Sequence, residues 1–501
     1  MTWDEDMKLS EVIQGLPIQD RAGNLATDIM EITPDSRKAR KGTLFVAISG
    51  TRMDGHDFIE DAVSKGASAV AVSRGIDPQV NVPQIQVSDP RRAMALMAAR
   101  LYGDPSRHLR VIGVTGTNGK TSITFLMESI LRAAGRNPAV LGTISYRYGG
   151  KLFEAPHTTP ESVDLQRLLS DMRTAGVTDV VMEVSSHASA MERVRGIHFD
   201  AVGFTNLTQD HLDFHQDLED YFAAKRKLFT DYLLESLKKD KAAVINSEDP
   251  HGEVLFRETP GKKLRVGCKS QDEIRCVSSD LDENGIRCEI TLPGVAEPLA
   301  ISSPLLGRHN LENILVAVGL SHALGVSPEN IRKGIGELRS IPGRLERIEN
   351  RKNLHVFVDY AHTPDAVARV CEALKPFAKK TGGRLITVFG CGGDRDRTKR
   401  PLMGREAGRF SDVVIVTSDN PRTEDPESIL GDILPGLEAV PFPKDRLFRV
   451  VDRREALKKA VETARAGDFV LVAGKGHEDY QIIGKSKIHF SDQEILREFL
   501  K

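Results

Sequence analysis

The sequence predicts an α/β protein of three domains, and three observations carry that prediction. At 501 residues the chain is too long for one hydrophobic core, since single cores stop growing at roughly 250–300 residues. Short apolar runs alternate with helix-like stretches, the pattern of parallel sheets. One apolar run enters a glycine-rich turn that opens a helix with Lys-Thr, "VIGVTGTNGKTS" from Val111 to Ser122. The expected division is an N-terminal α/β domain (1–108), a central P-loop-type domain (109–341) and a C-terminal Rossmann-like domain (342–501).

Residues 1–108 mix short strands (Leu44 to Ile48, Ala69 to Val72) with a helix before Gly66 and another from Pro90 to Tyr102. Gly103-Asp104-Pro105-Ser106 reads as a linker. The central part starts with the strand Val111 to Val114 and the helix Lys120 to Ala134. Strands at 179–183, 201–205 and 242–245 follow, then a β-rich excursion over 264–302 and helices near 310–324 and 328–338. Ser340-Ile341-Pro342-Gly343 forms the second boundary. From His355 strands and helices alternate: strands at 355–358, 385–389, 413–416, 447–451 and 469–473, with helices at 364–378, 400–410, 426–437 and 453–465. Three α/β domains in one chain suggest a ligand closed between domains.

Composition narrows the classes. The chain is 40% hydrophobic and 28% charged with a formal net charge of −2, which argues against a nucleic-acid partner. Five cysteines without a CxxC point to neither a disulfide framework nor a thiolate zinc site. The acidic start MTWDEDMKLSEV is not a signal peptide, and the longest apolar-looking run, Ile314 to Val326, is too short to span a bilayer. The expectation is a soluble, cytoplasmic protein that is not membrane-inserted.

In the glycine-rich turn, backbone N–H groups of Gly116, Thr117, Asn118 and Gly119 can cradle phosphates, continuing into Ser122. Lys120 can reach the terminal phosphates, and the Thr121 hydroxyl can ligate Mg²⁺. The turn departs from the general pattern, because Val114 stands where a glycine belongs; Gly113 and Gly116 flank it. An ATP-spending enzyme and a nucleotide switch both fit, although no Asn/Thr-Lys-x-Asp base-reading motif supports a guanine switch.

Glu183 ends the apolar strand of "VVMEVSSH", where a magnesium-coordinating acid belongs beside such a loop. "FTNLTQDHLDFH" supplies Asn206, Asp210, His211, Asp213 and His215. The two histidines at i, i+4 suggest zinc or a solvated polar turn when read alone, while the oxygen donors suit Mg²⁺ better. "YFAAKRKLF" reads from composition as a helix with a solvated basic face. At the other end of the chain, "TSDNPRTEDP" follows an apolar strand, and ligands of open α/β sheets bind at strand carboxyl ends.

The combination of TGTNGKT (115–121), EVSSH (183–187), FTNL-x-x-DHLD (204–213) and AAK (223–225) closely resembles the Mur ligase family, which joins amino acids to a cell-wall precursor. GRHNLEN (307–313), PGRLE (342–346), VDYAHTPD (358–365), FGCGGDRD-x-x-KRP (389–401) and AGKGHEDYQ (473–481) agree, in order, over nearly the whole chain. DSR (35–37), the His-Thr-Thr-Pro of 157–160 and DNPR (419–422) resemble the branch that adds the third residue of the peptide.

The resemblance implies that ATP, with Mg²⁺, phosphorylates the D-glutamate side-chain carboxylate of a UDP-N-acetylmuramoyl-dipeptide, and that an incoming amine displaces phosphate. Lys120 would neutralise the migrating phosphoryl group. Thr121 and Glu183 would hold one magnesium and His211 a second, with Lys225 carbamylated to N6-carboxylysine so that an anion faces the metal. Asn313 would contact adenine, Arg344 the phosphates and Asp359 the ribose, so that domain closure completes the ATP site. Ser36, Thr51, Arg52 and Met53, with Thr158, Thr159, Ser185 and Arg193, would bind the UDP-precursor. Some family members carry Gln where Met191 stands, so that site is not carried over.

For the amino acid, Arg422 would take a distal carboxylate, with Asp419, Asn420, Pro421 and Gly474 around it; Glu478 would take the ammonium and Arg395 the other carboxylate. That set points to meso-diaminopimelate, with L-lysine as the competing choice and a folylpolyglutamate synthetase or a non-catalytic nucleotide-binding regulator as other readings. Gly390-Cys391-Gly392-Gly393 lacks GxGxxG spacing, which disfavours a redox cofactor. A monomer is expected.

Overall fold

The computed structural model describes residues 7–50, 53–212 and 214–501. Three open sheets carry the chain. The first has five strands in the order Ile18–Ala22, Gln84–Val87, Ala69–Val72, Thr43–Val46, Glu31–Thr33, parallel except at the Ile18–Ala22 edge. The second has eleven strands. Its parallel centre runs Pro138–Leu141, Asp179–Glu183, Arg110–Thr115, Ala201–Phe204, Ala242–Asn246, Lys262–Gly267. Ile274–Asp282 joins Lys262–Gly267 in parallel, and Gly285–Thr291 and Leu299–Ser303 follow antiparallel, the expected β-rich excursion; Tyr146–Tyr148 and Lys151–Phe153 extend the opposite edge antiparallel.

Period-2 patterning builds the central core. Ile112, Val114, Val181 and Val244 pack on one face against Leu126, Ile130, Ile314 and Leu315, while Val111, Val180, Met182 and Phe204 pack on the other against Leu165, Leu169 and Phe229. Sides buried on both faces read as continuous apolar runs, which is why these strands were legible.

The third sheet runs Glu346–Ile348, His355–Asp359, Phe469–Ala473, Leu385–Phe389, Val413–Val416, Leu447–Arg449. Its first strand is antiparallel and the rest parallel. The strand expected at 447–451 stops at Arg449, and the strand expected from Leu44 to Ile48 stops at Val46. The sequence reading ended at 473. Beyond it stand a hairpin, Tyr480–Ile483 with Ser486–His489, and the helix Asp492–Phe499.

Strand order places the sites. Arg110–Thr115 lies between Asp179–Glu183 and Ala201–Phe204, so connections leave it in both directions and open a crevice at its carboxyl end. Phe469–Ala473 is likewise inserted between His355–Asp359 and Leu385–Phe389. Among the described residues, no helix is long and apolar enough to cross a membrane.

Candidate functional site

A cavity of about 210 Å³ lies where the central and C-terminal sheets meet. It brings together Thr117 to Ser122, Glu183, His211, Lys225 and Asn313 from the central part with Arg344 and Asp359 from the C-terminal part. Gly116 borders it through its carbonyl, which accepts from Lys120 Nζ and from Lys225 Nζ, each at 2.8 Å.

The loop needs its glycines. Gly116 has φ 143° and Gly119 has φ 92°, and a Cβ at these positions would meet Thr205 Oγ1 at 1.8 Å and Asn313 Oδ1 at 2.2 Å. Lys120 Nζ also donates to Thr117 O at 2.8 Å, so its ammonium is folded onto its own loop. Burial pushes Lys120 below its ordinary range, against the pull of Glu183. Lys225 is 1% exposed, lies 4.2 Å from the Tyr221 ring centroid, and is pushed well below its ordinary range by burial and then by Lys120.

Glu183 sits at the carboxyl end of its strand. Oε1 accepts from Thr121 Oγ1 at 3.0 Å and from the Thr143 amide at 2.9 Å, and Oε2 accepts from Thr143 Oγ1 at 3.0 Å. Arg344 Nη2 donates to Thr121 Oγ1 at 3.2 Å, a contact from the C-terminal sheet to the loop. Asn118 Nδ2 donates to Asp365 Oδ2 at 3.0 Å across the same gap. His211 has φ 56° and keeps 42% of its side-chain surface exposed; burial of the rest holds its imidazole below the ordinary range. Its ring packs edge-on against His187 at 4.9 Å.

Asp359 uses both carboxylate oxygens on backbone amides, Leu345 N at 2.7 Å and Ala361 N at 2.7 Å. It therefore fixes the turn that carries Arg344, and burial raises its carboxyl above the usual range. Asn313 Nδ2 donates to Asn310 Oδ1 at 3.0 Å.

Of the residues expected at the UDP-precursor, four gather at the Glu183 strand end. Thr158 Oγ1 meets Thr143 Oγ1 at 3.0 Å. Thr159 Oγ1 donates to Glu183 O at 2.8 Å and accepts from Ser185 N at 3.1 Å. Arg193 donates to Thr159 O at 3.1 Å and pairs with Glu161 at 2.6 Å. Ser36 is buried and Met53 is exposed, both on the N-terminal sheet's side of the molecule. No hydrogen bond joins them to these four among the described residues. Thr51, Arg52 and Asp213 lie outside the described residues.

The residues expected at the amino acid form a second cluster at the carboxyl ends of the C-terminal strands. Asn420 Nδ2 donates to Glu478 Oε2 at 2.9 Å. Arg422 has φ 51°, and its Nη1 donates to Gly393 O at 2.8 Å. The arginine does brace its own turn, yet that contact uses Nη1 and leaves the rest of the fork for a carboxylate. Pro421 O would collide with a Cβ on Gly393 at 1.9 Å, so the two strand-end loops interlock. Gly474 has φ 114° and faces Asp419. Arg395 is exposed, and its Nη1 donates to Asp394 O at 3.0 Å. Burial, and then Asp419, push the Glu478 carboxyl above its usual range. Tyr360 links the clusters: its ring lines the cavity and its hydroxyl reaches Glu478 Oε1 at 3.4 Å.

Sequence reasoning missed Thr143, Asp365 and Lys475. Thr143 follows the strand Pro138–Leu141, so its strand-end place was the available signal. Lys475 stood inside a quoted motif, but nothing in the motif said that its side chain would be fully buried.

Residues 28–102 match the family described as "Mur ligase family, catalytic domain", residues 114–321 match "Mur ligase middle domain", and residues 343–476 match "Mur ligase, glutamate ligase domain". The chain is 48% identical to a UDP-N-acetylmuramoyl-L-alanyl-D-glutamate--2,6-diaminopimelate ligase of Geobacter metallireducens, with 97% of each chain covered. It is similar to the solved structure of a ligase of the same name, with a TM-score of 0.71, 33% identity and 99% of each chain covered. A Mycobacterium tuberculosis folylpolyglutamate synthase shares the fold alone, with a TM-score of 0.60 and 20% identity over 77% of this chain and 92% of that one.

Proposed function

The chain belongs to the Mur ligase family, and from that premise we infer an ATP-dependent ligase that joins meso-diaminopimelate to UDP-N-acetylmuramoyl-L-alanyl-D-glutamate in peptidoglycan synthesis. The full-length likeness to ligases of that name supports the substrates. The observation that carries the mechanism is the one cavity in which the phosphate loop, Glu183 and Lys225 face Arg344.

ATP phosphorylates the D-glutamate side-chain carboxylate, because a carboxylate is a poor electrophile until it carries a leaving group. The amine of diaminopimelate attacks the acyl carbon, phosphate leaves, and the amine loses a proton. The protein's share is placement and charge neutralisation. Lys120 unfolds from the Gly116 and Thr117 carbonyls onto the terminal phosphates, and Arg344, already in contact with Thr121 across the gap, joins it. Gly116 to Ser122 cradle the phosphates, Asn313 takes adenine and Asp359 the ribose side. Ser36, Thr51, Arg52 and Met53 hold the uridine end, and Thr158, Thr159, Ser185 and Arg193 hold the rest of the precursor.

The donor set fits Mg²⁺: the Thr121 hydroxyl and Glu183 carboxylate are hard oxygens 3.0 Å apart beside the loop. Among the described residues, no group of three His, Cys, Asp or Glu side chains could hold a cation by itself, so the protein would share any ion with substrate oxygens. Thr121, Glu183, His211 and Lys225 would hold the ions, whose charge neutralises the phosphoryl oxygens when bound. An ammonium at Lys225 would oppose that. Its burial favours the neutral amine, which adds to CO₂, releases a proton and becomes the N6-carboxylysine anion. Arg422, Asp419, Asn420, Pro421, Gly474, Glu478 and Arg395 receive the amino acid. The domain division at 1–108, 109–341 and 342–501, a cytoplasmic location and a monomeric state complete the proposal.

Phosphate release is the test. Release that needs the UDP-dipeptide and meso-diaminopimelate together is expected, with L-lysine a poor substitute. Preference for L-lysine would replace the substrate assignment, and no release with any amino acid would replace the enzyme by a nucleotide-binding regulator.

A further inference from the structure

Lys475 is the one lysine of the second cluster, and it is completely buried. It follows Gly474 at the carboxyl end of the strand Phe469–Ala473. Its Nζ lies 3.2 Å from Asn420 Oδ1, 3.5 Å from Asp419 Oδ1 and 3.6 Å from Glu478 Oε2. Its head is thus shared among three acceptors, with only one at short hydrogen-bond distance.

Two consequences follow. The first concerns the Asn420 amide. Oδ1 accepts from Lys475 and from the Ile482 amide at 3.0 Å, which turns Nδ2 toward Glu478. Lys475 therefore sets the face that Asn420 and Glu478 present. The second concerns charge. At the distal end of the pocket Asp419 and Glu478 contribute two negative charges, while Lys475 and Arg422 contribute two positive ones, so that end is neutral before any ligand arrives; the exposed Arg395 is assigned to the other carboxylate. A buried neutral cage accepts a neutral zwitterion at small electrostatic cost, whereas a lone ammonium adds an unbalanced charge beside Lys475.

Resting on the pocket assignment above, we propose that Lys475 is a specificity-determining positioning residue. It balances Asp419 and Glu478 so that the pocket receives an amino-acid end carrying both an ammonium and a carboxylate, and turns away an end that is only an ammonium. Arg422 attracts the distal carboxylate; Lys475 prevents the two acids from serving a simple cation instead. Discrimination then has a repulsive element as well as an attractive one.

The experiment is steady-state ligation by Lys475→Gln and Lys475→Arg, with meso-diaminopimelate and L-lysine varied in turn. In Lys475→Gln the ratio of kcat/KM for diaminopimelate to that for lysine should fall at least about tenfold, mainly through KM. Lys475→Arg, which keeps the charge, should restore most of the ratio. An equal loss for both amino acids, with the ratio unchanged, would leave Lys475 a purely structural residue and overturn the proposal. Should the glutamine variant fail to fold, the wild-type protein supplies a second reading. L-norleucine, which shares the stem of L-lysine but has no distal charge, should inhibit diaminopimelate ligation at least as strongly as L-lysine; lysine inhibiting tenfold better than norleucine would overturn the proposal. A wild-type enzyme that prefers L-lysine would fail at the pocket assignment itself, an outcome separate from either result for Lys475.

Discussion

The chain buries lysines in two ways, and the two sites differ in what neutralises them. Lys120 and Lys225 donate to carbonyls, both sharing Gly116 O, and among the described residues neither has an ion pair within 4 Å. Lys475 lies among Asp419, Asn420 and Glu478. A carbonyl offers a partial charge where a carboxylate offers a full one, so burial depresses both lysines of the first pair, and Lys120 depresses Lys225 further. The central site is built for an anion yet to come, such as the phosphates of ATP. On the proposed assignment the C-terminal site is already balanced and recognises shape and charge pattern. One fold feature, the carboxyl end of a parallel sheet, thus serves opposite electrostatic purposes.

Breaking the first half of that contrast should have the largest effects. Lys225→Ala should lose ligation entirely and recover part of it with short carboxylic acids, which replace the missing anion. Activity assays with and without formate check this; an alanine variant that is active unaided would remove the carboxylated lysine from the mechanism. Lys120→Ala should lower turnover by at least ~10²–10³-fold, the scale of one strong electrostatic stabiliser. Near-normal turnover would take the loop lysine out of phosphoryl transfer.

The second half is sharpened by Arg422→Ala. A desolvated charge pair is worth ~2–5 kcal/mol, and the low end applies to this half-buried arginine, giving about a 30-fold loss of kcat/KM for diaminopimelate. The residual use of lysine should barely move. If both amino acids lost equally, Arg422 would serve only to brace Gly393 O.

The smallest effect is on stability. A lysine whose ammonium is disfavoured by folding binds fewer protons in the native state, so stability rises with pH toward the ordinary lysine value near 10.5. The ligand-free protein, kept free of CO₂ so that Lys225 stays an amine, should therefore gain Tm as pH increases through the alkaline range, and Lys225→Met should flatten that slope. A steeper slope in the variant would reverse the assignment of burial as the cause.

Much of the molecule was legible from the chain alone. The parallel strands read clearly because burial on both faces leaves no polar position, as in Val413–Val416 and Phe469–Ala473. The phosphate loop, Glu183 and the Asp-Asn-Pro-Arg turn announced themselves at strand ends, where backbone groups and polar side chains are freed from the ladder. Less visible were the hairpin Tyr480–Ile483 with Ser486–His489 and the docking of Arg422 N onto Ile482 O at 3.0 Å, because a short half-exposed hairpin has weak periodicity.

By itself the sequence determined the order of the main elements, the glycine-rich loop and the types of residue at each strand end, since these follow from local spacing and periodicity. Tertiary structure decided what each charge meets. Lys120, Lys225 and Lys475 are the same residue type in the sequence, and each stands inside a quoted motif. Packing leaves the first two cations without a carboxylate within 4 Å among the described residues and sets the third between two acids, because Lys225 meets Gly116 O 109 positions away and Lys475 meets Asp419 56 positions away.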